Sequence, residues 1–221
     1  MPLAASQLLD LRHSQAGDWL ATLEYPWQVL PDMGGLLQRI AAHLPSDFIE
    51  QKPGIWVGSG TQIAESACLI GPAIIGRNCQ IRHNAFIREY VLLGDDVVIG
   101  NATEVKNAIL FDGAQAPHFN YIGDSIMGYK AHLGAGAILS NFKAAGDEVE
   151  VNLGDGKKVP SGLQKLGGIL GDFAEIGCNA VVFPGTIIGK YSRVYPLCPV
   201  RGFIPARHIV KAAGTYIPMR D

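Results

Sequence analysis

Apolar side chains recur at every sixth position along the middle of the chain. The residue four positions after each of them is usually small or β-branched, as at Thr61 and Thr103. Because an α-helix repeats every 3.6 residues and a strand every two, neither element accounts for this period. The pattern predicts a short strand followed by a tight corner, repeated along a solenoid. The positions in frame are Val57, Ile63, Leu69, Ile75, Ile81, Ile87, Leu93, Ile99, Val105, Phe111 and Pro117.

Three six-residue units would close one triangular coil, so residues 18 positions apart are expected to stack in successive coils. Glycine often follows the apolar position, as at Gly76 and Gly94, and this suits a corner with unusual backbone torsions. The pattern resembles that of the hexapeptide-repeat family. This resemblance implies an all-β solenoid, a left-handed parallel β-helix whose inward apolar residues form one continuous core.

The six-residue frame is interrupted in the second half of the chain. It shifts by one residue twice, from Pro117 through Ile122 to Met127. Residues 143–168 leave the pattern, and Gly154-Asp155-Gly156 between alternating apolar residues predicts a protruding hairpin. A functional site is expected where a regular solenoid becomes irregular. The frame returns at Leu170, Ile176, Val182, Ile188, Val194 and Val200.

The first part of the chain, residues 1–52, shows no six-residue period. Its apolar residues are spaced as in amphipathic helices, with breaks at Pro26 and Pro31. We expect these residues to form a helical cap over the open end of the solenoid. The β-helix is then expected to cover residues 53–205, and residues 206–221 are expected to form a C-terminal tail.

Composition narrows the possible partners. The 221 residues include 27 glycines and carry a net charge of −2. Since the sequence has no basic stripe, no long apolar run and no signal-peptide pattern, it favours a cytoplasmic protein without nucleic-acid or membrane partners. The four cysteines lack metal-type spacing. Cys79 and Cys198 fall at the small inward position, where packing explains them.

One segment carries a closer resemblance. It runs from His118-Phe-Asn-Tyr121 through Leu133-Gly-Ala-Gly-Ala to Asn141-Phe142. These residues resemble the acetyltransferase half of the bifunctional N-acetylglucosamine-1-phosphate uridyltransferase and glucosamine-1-phosphate acetyltransferase family, over a little under half of the chain. The resemblance implies a coenzyme-A-dependent N-acyltransferase that uses acetyl-CoA and an amino-sugar phosphate or a sugar nucleotide. It also implies a homotrimer with active sites between neighbouring prisms.

The same resemblance gives roles to individual residues. It implies that His118 is the general base, that Arg88 and Lys106 hold the sugar phosphate, and that Tyr121 and Asn141 contact the sugar. Arg88 and Lys106 are 18 residues apart, so they are predicted to stack, and paired cations suit a phosphate. Histidine has the unperturbed pKa closest to neutrality, which suits a group that takes a proton from an attacking amine.

Several positions depart from the family pattern. His132 and Phe142 stand where the family has asparagine and tyrosine in the sugar pocket, so they are expected substrate contacts for a sugar that the sequence does not specify. Cys178 replaces a serine, and with Pro196 and Arg201 it marks the expected coenzyme A site. The chain also lacks the glycine-rich loop of the uridyltransferase half, so we do not expect it to make a nucleotide sugar.

Two other functions stay open. A non-catalytic module that binds a sugar phosphate beside a separate nucleotidyltransferase would keep the cations and need no base. A γ-type carbonic anhydrase is suggested by His83 and His118, which are 35 residues apart and resemble its first two metal ligands. The third histidine of that family would fall at Gly123, so no metal is expected at the site.

Overall fold

The computed structural model describes residues 3–219, which form a left-handed parallel β-helix of about nine turns preceded by short helices. Both features agree with the fold class expected from the sequence. The α-helices are α1 (Ala5–Leu8), α2 (Gly17–Ala21) and α3 (Met33–Ala41), and 3-10 helices span Leu11–His13 and Pro26–Asp32. The strands are β1 (Phe48–Lys52), β2 (Ile55–Gly58), β3 (Gln62–Ile63), β4 (Cys68–Leu69), β5 (Ala73–Ile75), β6 (Gln80–Ile81), β7 (Phe86–Ile87), β8 (Val91–Leu93), β9 (Val98–Asn101), β10 (Glu104–Leu110), β11 (Gln115–His118), β12 (Tyr121–Met127), β13 (His132–Leu133), β14 (Ile138–Leu139), β15 (Glu150–Asn152), β16 (Lys158–Pro160), β17 (Ile169–Leu170), β18 (Glu175–Ile176), β19 (Val181–Val182), β20 (Ile187–Ile188), β21 (Arg193–Val194), β22 (Pro199–Val200), β23 (Phe203–Ile204), β24 (His208–Ala212) and β25 (Thr215–Pro218).

Three stacks of parallel strands form the faces of the prism. The first face contains β2, β5, β8, the second halves of β10 and β12, and β17, β20 and β23. The second face contains β3, β6, β9, β11, β13, β18, β21 and β24. The third face contains β4, β7, the first halves of β10 and β12, and β14, β19 and β22. Each corner is named below by the two faces that it joins.

The inward positions form one core along the axis. Ile81, Ile99 and Val182 are buried there, as the six-residue frame predicts. The small position is also buried, and Cys79 lies in this core. Burial raises the pKa of the Cys79 thiol to about 11, so this side chain packs as a neutral group.

One of the two one-residue shifts lies earlier than the sequence frame predicted, between Val105 and Leu110 instead of between Pro117 and Ile122, whereas the shift from Ile122 to Met127 is where it was predicted. Leu110 and Ala116 face the axial core, whereas the predicted positions Phe111 and Pro117 do not. Phe111 is fully buried in a second cluster outside the prism, which is why it continued the apolar pattern. The shifts occur where β10 and β12 each run through the third–first corner without a break.

The N-terminal helices cover the first face of the prism and not its open end, so the predicted position of the cap is wrong. Leu8 accepts a hydrogen bond from the backbone N–H of Asp172 at 3.0 Å, and His13 accepts one from Asp112 at 3.0 Å. Strands such as β5 and β8 are buried on both sides, and their unbroken apolar triplets are the sequence signal for this cover. The outward residues of the first face that are buried in one cluster with the helices and with residues of the 143–168 segment are Ile74, Leu92, Ile109, Ile126, Ile169 and Ile187.

Two further segments complete the fold. β15 and β16 pair as an antiparallel hairpin within residues 143–168, and Val151 of this hairpin is buried in the same cluster as the helices. Residues from 206 onward do not form a separate tail, because β24 continues the second face and Val210 joins the axial core. No helix within residues 3–219 is both long enough and apolar enough to cross a membrane.

A charge beneath the helical cover should destabilise the fold. We expect Ile109→Asp to lower the free energy of unfolding by about 3 kcal/mol or more, because Ile109 is fully buried and a carboxylate there has no partner. The matched control is Val98→Asp, at an outward and half-exposed position of the uncovered second face. Urea denaturation measures both. An equal loss in the two variants would show that the helices do not protect the first face.

Candidate functional site at the edges of the third face

Arg88 and Lys106 lie one above the other at the third–first corner. The backbone N–H of Arg88 donates to the carbonyl of Val105 at 2.8 Å, and β7 and β10 pair in parallel, which aligns the two cations. Gly123 takes the same place in the next coil, since it pairs with Lys106. The stacking expected from the 18-residue spacing is therefore present.

Both cations are already paired with carboxylates. The Arg88 guanidinium lies 3.0 Å from Glu104 Oε1 and 3.5 Å from Glu89 Oε1. The hydrogen bond that Arg88 donates to Glu104 raises the pKa of Arg88 above its usual range. Lys106 Nζ lies 3.5 Å from Asp124 Oδ2. Three carboxylates thus face two cations, so an anionic ligand here has to replace part of this pairing.

Asp124 is the centre of a buried polar cluster that sequence reasoning missed. It accepts a hydrogen bond from Asn107 Nδ2 at 2.8 Å and a second from Asn141 Nδ2. Asn107 and Asp124 both have left-handed backbone conformations, with φ of 45° and 48°, which asparagine and aspartate adopt more readily than most residues. The sequence signal for this cluster is a small polar residue at the same place in two successive coils. These residues are Asn107 and Asp124, which are 17 positions apart where the frame shifts.

Tyr121 and Asn141 belong to the same group of residues. The pKa of Tyr121 is raised, chiefly because burial disfavours the phenolate, and the charge of Asp124 adds to the effect while the Asn141 amide opposes it. Both side chains lie over Gly123. A Cβ at that position would come within 2.5 Å of Tyr121 Oη and 2.6 Å of Asn141 Nδ2. Only glycine leaves them this room.

His118 lies at the opposite edge of the third face, on the second–third corner. It ends β11, and Tyr121 begins β12 three residues later. The side chain is exposed, and its imidazole has no hydrogen-bond partner within residues 3–219. Its ring centroid is 6.3 Å from that of Phe119. The nitrogen lone pair of the neutral ring is thus open to an incoming group.

The same corner brings Cys178 and Pro196 into line with His118. The backbone N–H of Gly136 donates to His118 O at 3.0 Å, that of Asn179 to Ala135 O at 2.9 Å, and that of Leu197 to Cys178 O at 2.9 Å. These bonds stack His118, Ala135, Cys178 and Pro196 in successive coils. Because neighbouring strands are about 4.8 Å apart, Cys178 lies about 10 Å along the axis from His118.

The structure does not bring the remaining predicted residues to this corner. His132 points outward on the second face and pairs with Glu175 Oε2 at 2.9 Å, so it is not beside Tyr121. Phe142 is exposed at the start of the hairpin segment and forms a backbone bridge with Lys165. Arg201 is also far from the second–third corner that holds His118. Repeat spacing alone predicts neither the ion pair of His132 nor the position of Phe142, which directly precedes the hairpin segment.

Arg201 lies near the third–first corner, in a cavity of about 670 Å³ between the hairpin and the last coils. Its guanidinium stacks over Phe183 at 4.7 Å from the ring centroid. Lys143 and Lys158 line the same cavity, opposed by the carboxylate of Glu150. The cavity combines three cations with an aromatic ring, which suits an extended anionic ligand.

The two histidines that resemble carbonic anhydrase ligands lie on the same corner of the prism. His83 and His118 share one corner column, with Asn101 between them, because Asn101 Nδ2 donates to His83 O and Phe119 N donates to Asn101 O, both at 2.9 Å. Within residues 3–219, no group of three or more histidine, cysteine, aspartate or glutamate side chains is arranged to hold a metal ion. The structure therefore adds no third ligand to this pair.

Comparison with known proteins agrees with the fold and the motif. A model of the GMPPB C-terminal domain matches residues 69–154. A bifunctional sugar-1-phosphate nucleotidylyltransferase/acetyltransferase from Sulfurisphaera tokodaii is 37% identical over 113 residues, which cover 51% of this chain and 28% of that protein. The bifunctional protein GlmU from Methanococcus maripaludis is 32% identical over 181 residues, covering 79% of this chain and 43% of the relative. The chain is a hexapeptide-repeat protein and a homologue of these bifunctional proteins.

The matches cover less than half of each bifunctional relative. This hexapeptide-repeat chain spans between 28% and 43% of the length of the two relatives. Among solved structures, AntD, an N-acyltransferase from Bacillus cereus, shares 18% identity at a TM-score of 0.47, over 79% of this chain and 91% of AntD.

The electrostatics of the buried cluster can be measured directly. Asp124→Asn removes a negative charge next to Tyr121, so the pKa of Tyr121 should fall towards its ordinary value. NMR titration of isotope-labelled tyrosine measures it. Asp96→Asn is the matched control, since Asp96 is exposed and has a similar left-handed backbone, with φ of 58°. A Tyr121 pKa that does not change in Asp124→Asn would contradict the cluster described here.

Proposed function

We propose that the chain is a coenzyme-A-dependent N-acyltransferase that acts on an amino-sugar phosphate or a sugar nucleotide, with acetyl-CoA as donor. The observation that carries the proposal is the alignment of His118, Cys178 and Pro196 along one corner of the third face. The other corner holds the cations Arg88 and Lys106. The chain that carries these two groups of residues is homologous to a protein named as a nucleotidylyltransferase/acetyltransferase.

His118 acts as the general base in this reaction. The amine nitrogen of the sugar attacks the thioester carbonyl, the carbon–sulfur bond breaks, and coenzyme A leaves as a thiol. His118 accepts the proton that the nitrogen loses and passes it to the departing sulfur, and its exposed imidazole is free to do so. A backbone N–H from the facing coil stabilises the oxyanion that forms on the carbonyl oxygen.

Arg88 and Lys106 hold the phosphate of the acceptor. The Arg88 pairs are partly exposed, at 32% for Arg88 and 34% for Glu104, and such surface pairs contribute only about 0–1 kcal/mol. A phosphate that accepts two hydrogen bonds from one guanidinium interacts more strongly, so it can displace Glu104. Tyr121 and Asn141 then bind sugar hydroxyls beside Gly123.

The acyl donor extends between the Cys178–Pro196 corner and the cavity that contains Arg201. In one chain these places lie at opposite edges of the third face, which favours a homotrimer whose sites are shared by neighbouring chains. Exposed apolar side chains at the His118 corner support such an association, with Phe119 59% and Leu197 74% exposed. We place the protein in the cytoplasm, where its four free thiols would stay reduced.

Coenzyme A release with a panel of amino sugars and their 1-phosphates tests this function. We expect His118→Ala to lower kcat by about 100-fold or more, because the amine then loses its proton without a positioned base. His83→Ala is the matched control at the same corner column, and it should leave kcat unchanged.

Two outcomes would contradict the proposal. Turnover that is equal in His118→Ala and the unmodified chain would remove the proposed base. Tight binding of a sugar phosphate without turnover of any acceptor would favour the non-catalytic module instead.

A further inference from the structure

A cavity of about 380 Å³ lies between the helical cover and the third–first corner. This volume is in the range of small-molecule sites. One wall is apolar and comes from the helical segment, and the other is polar and comes from two successive coils. The lining residues are Leu30, Pro31, Met33 and Gly34 on the first wall, and Glu89, Tyr90, Lys106 and Asn107 on the second.

Lys106 connects this cavity to the phosphate-binding corner. Its side chain is only 17% exposed, and the buried carboxylate of Asp124 holds its ammonium at 3.5 Å. Glu89, on the same wall, lies 3.5 Å from the guanidinium of Arg88. The cavity is thus directly beside both cations that we assign to the phosphate.

The apolar wall is held firmly against the prism. Leu30 and Met33 are buried in the cluster that contains Ile109 of the first face. Gly34 lies under the ring of Tyr90, and a Cβ at Gly34 would be 3.1 Å from Tyr90 Cε1. Tyr90 has the left-handed backbone, with φ of 67°, that also occurs at other corner residues such as Phe173 and Tyr191.

We infer that this cavity holds the sugar ring of the acceptor, so that the segment before the solenoid determines which sugar is bound. This inference rests on the proposed function. A pyranose ring has hydroxyl groups at its edge and C–H groups on its faces. Lys106, Asn107 and Glu89 bind the polar edge, while the Tyr90 ring and the wall around Met33 contact the apolar face.

This arrangement differs from a site built by the β-helix alone. The ring lies against residues of two separate parts of the chain, and the phosphate extends towards Arg88. His118 is at the other edge of the third face, so the base that reaches the amine comes from a neighbouring chain in the proposed trimer. Substitutions in the helical segment should therefore change acceptor binding without touching the base.

Calorimetric titration with glucosamine 1-phosphate, without acyl donor, tests the inference. Gly34→Val should raise the Kd at least tenfold, because the new side chain pushes Tyr90 into the cavity. Gln38→Val, at an exposed position of the same helix, should leave the Kd unchanged. Inorganic phosphate should bind all these proteins equally, since it contacts only the cations.

A second variant covers the case in which Gly34→Val does not fold. Tyr90→Asn removes the ring but tolerates the left-handed backbone, and it should also raise the Kd for glucosamine 1-phosphate at least tenfold. Unchanged binding by the folded variants would overturn the inference and leave the proposed function standing. If the unmodified chain neither binds glucosamine 1-phosphate nor turns over any acceptor of the panel, both fail.

Discussion

Parallel backbone hydrogen bonds between successive coils are the constraint on which the rest of this structure depends. They leave each residue little choice of neighbour, because the residue one coil later is held directly above it, about 4.8 Å away. Arg88 and Lys106 are neighbours for this reason, and so are Ala135 and Cys178, although 43 positions separate them in the sequence. A solenoid therefore converts sequence spacing into columns of side chains at its corners.

A change in that spacing has a local effect on chemistry. Where two coils are shortened by one residue, β10 and β12 cross the third–first corner in a left-handed turn at Asn107 and Asp124. The turn buries a carboxylate that then organises Lys106 and two amides. The shortening of the two coils produces both the irregular corner and the charged cluster. For this reason the frame shift lies next to the candidate site.

Sequence period predicted the features that depend on spacing within the repeat. These include the axial core and the stacked cations, and the hairpin was predicted from the break in the period and its Gly154-Asp155-Gly156 turn. It failed where a residue serves a different contact. Phe111 is apolar because it packs under the helices, so it extended the frame past the point where Leu110 had taken the inward position. His132 pairs with Glu175, which lies one coil later, and no motif near His132 in the sequence predicts this contact.

The placement of the helices was the larger error, and it has a physical cause. Covering the first face buries six isoleucine and leucine side chains, whereas an end cap would bury only one coil. Unbroken apolar triplets in β5 and β8 carried that information, but a period of six does not distinguish one-sided from two-sided burial. With the first face covered, the second and third faces and the corner between them are left open to ligands.

The central claim is that the two edges of the third face act together across neighbouring chains. Mixing His118→Ala chains with Arg88→Ala chains after joint refolding measures this directly. Neither variant alone should transfer acyl groups at a useful rate. Random assembly of a ring restores an intact pair of edges at about one quarter of the sites, so the mixture should recover activity in that range. A mixture as inactive as its two components would contradict the shared site.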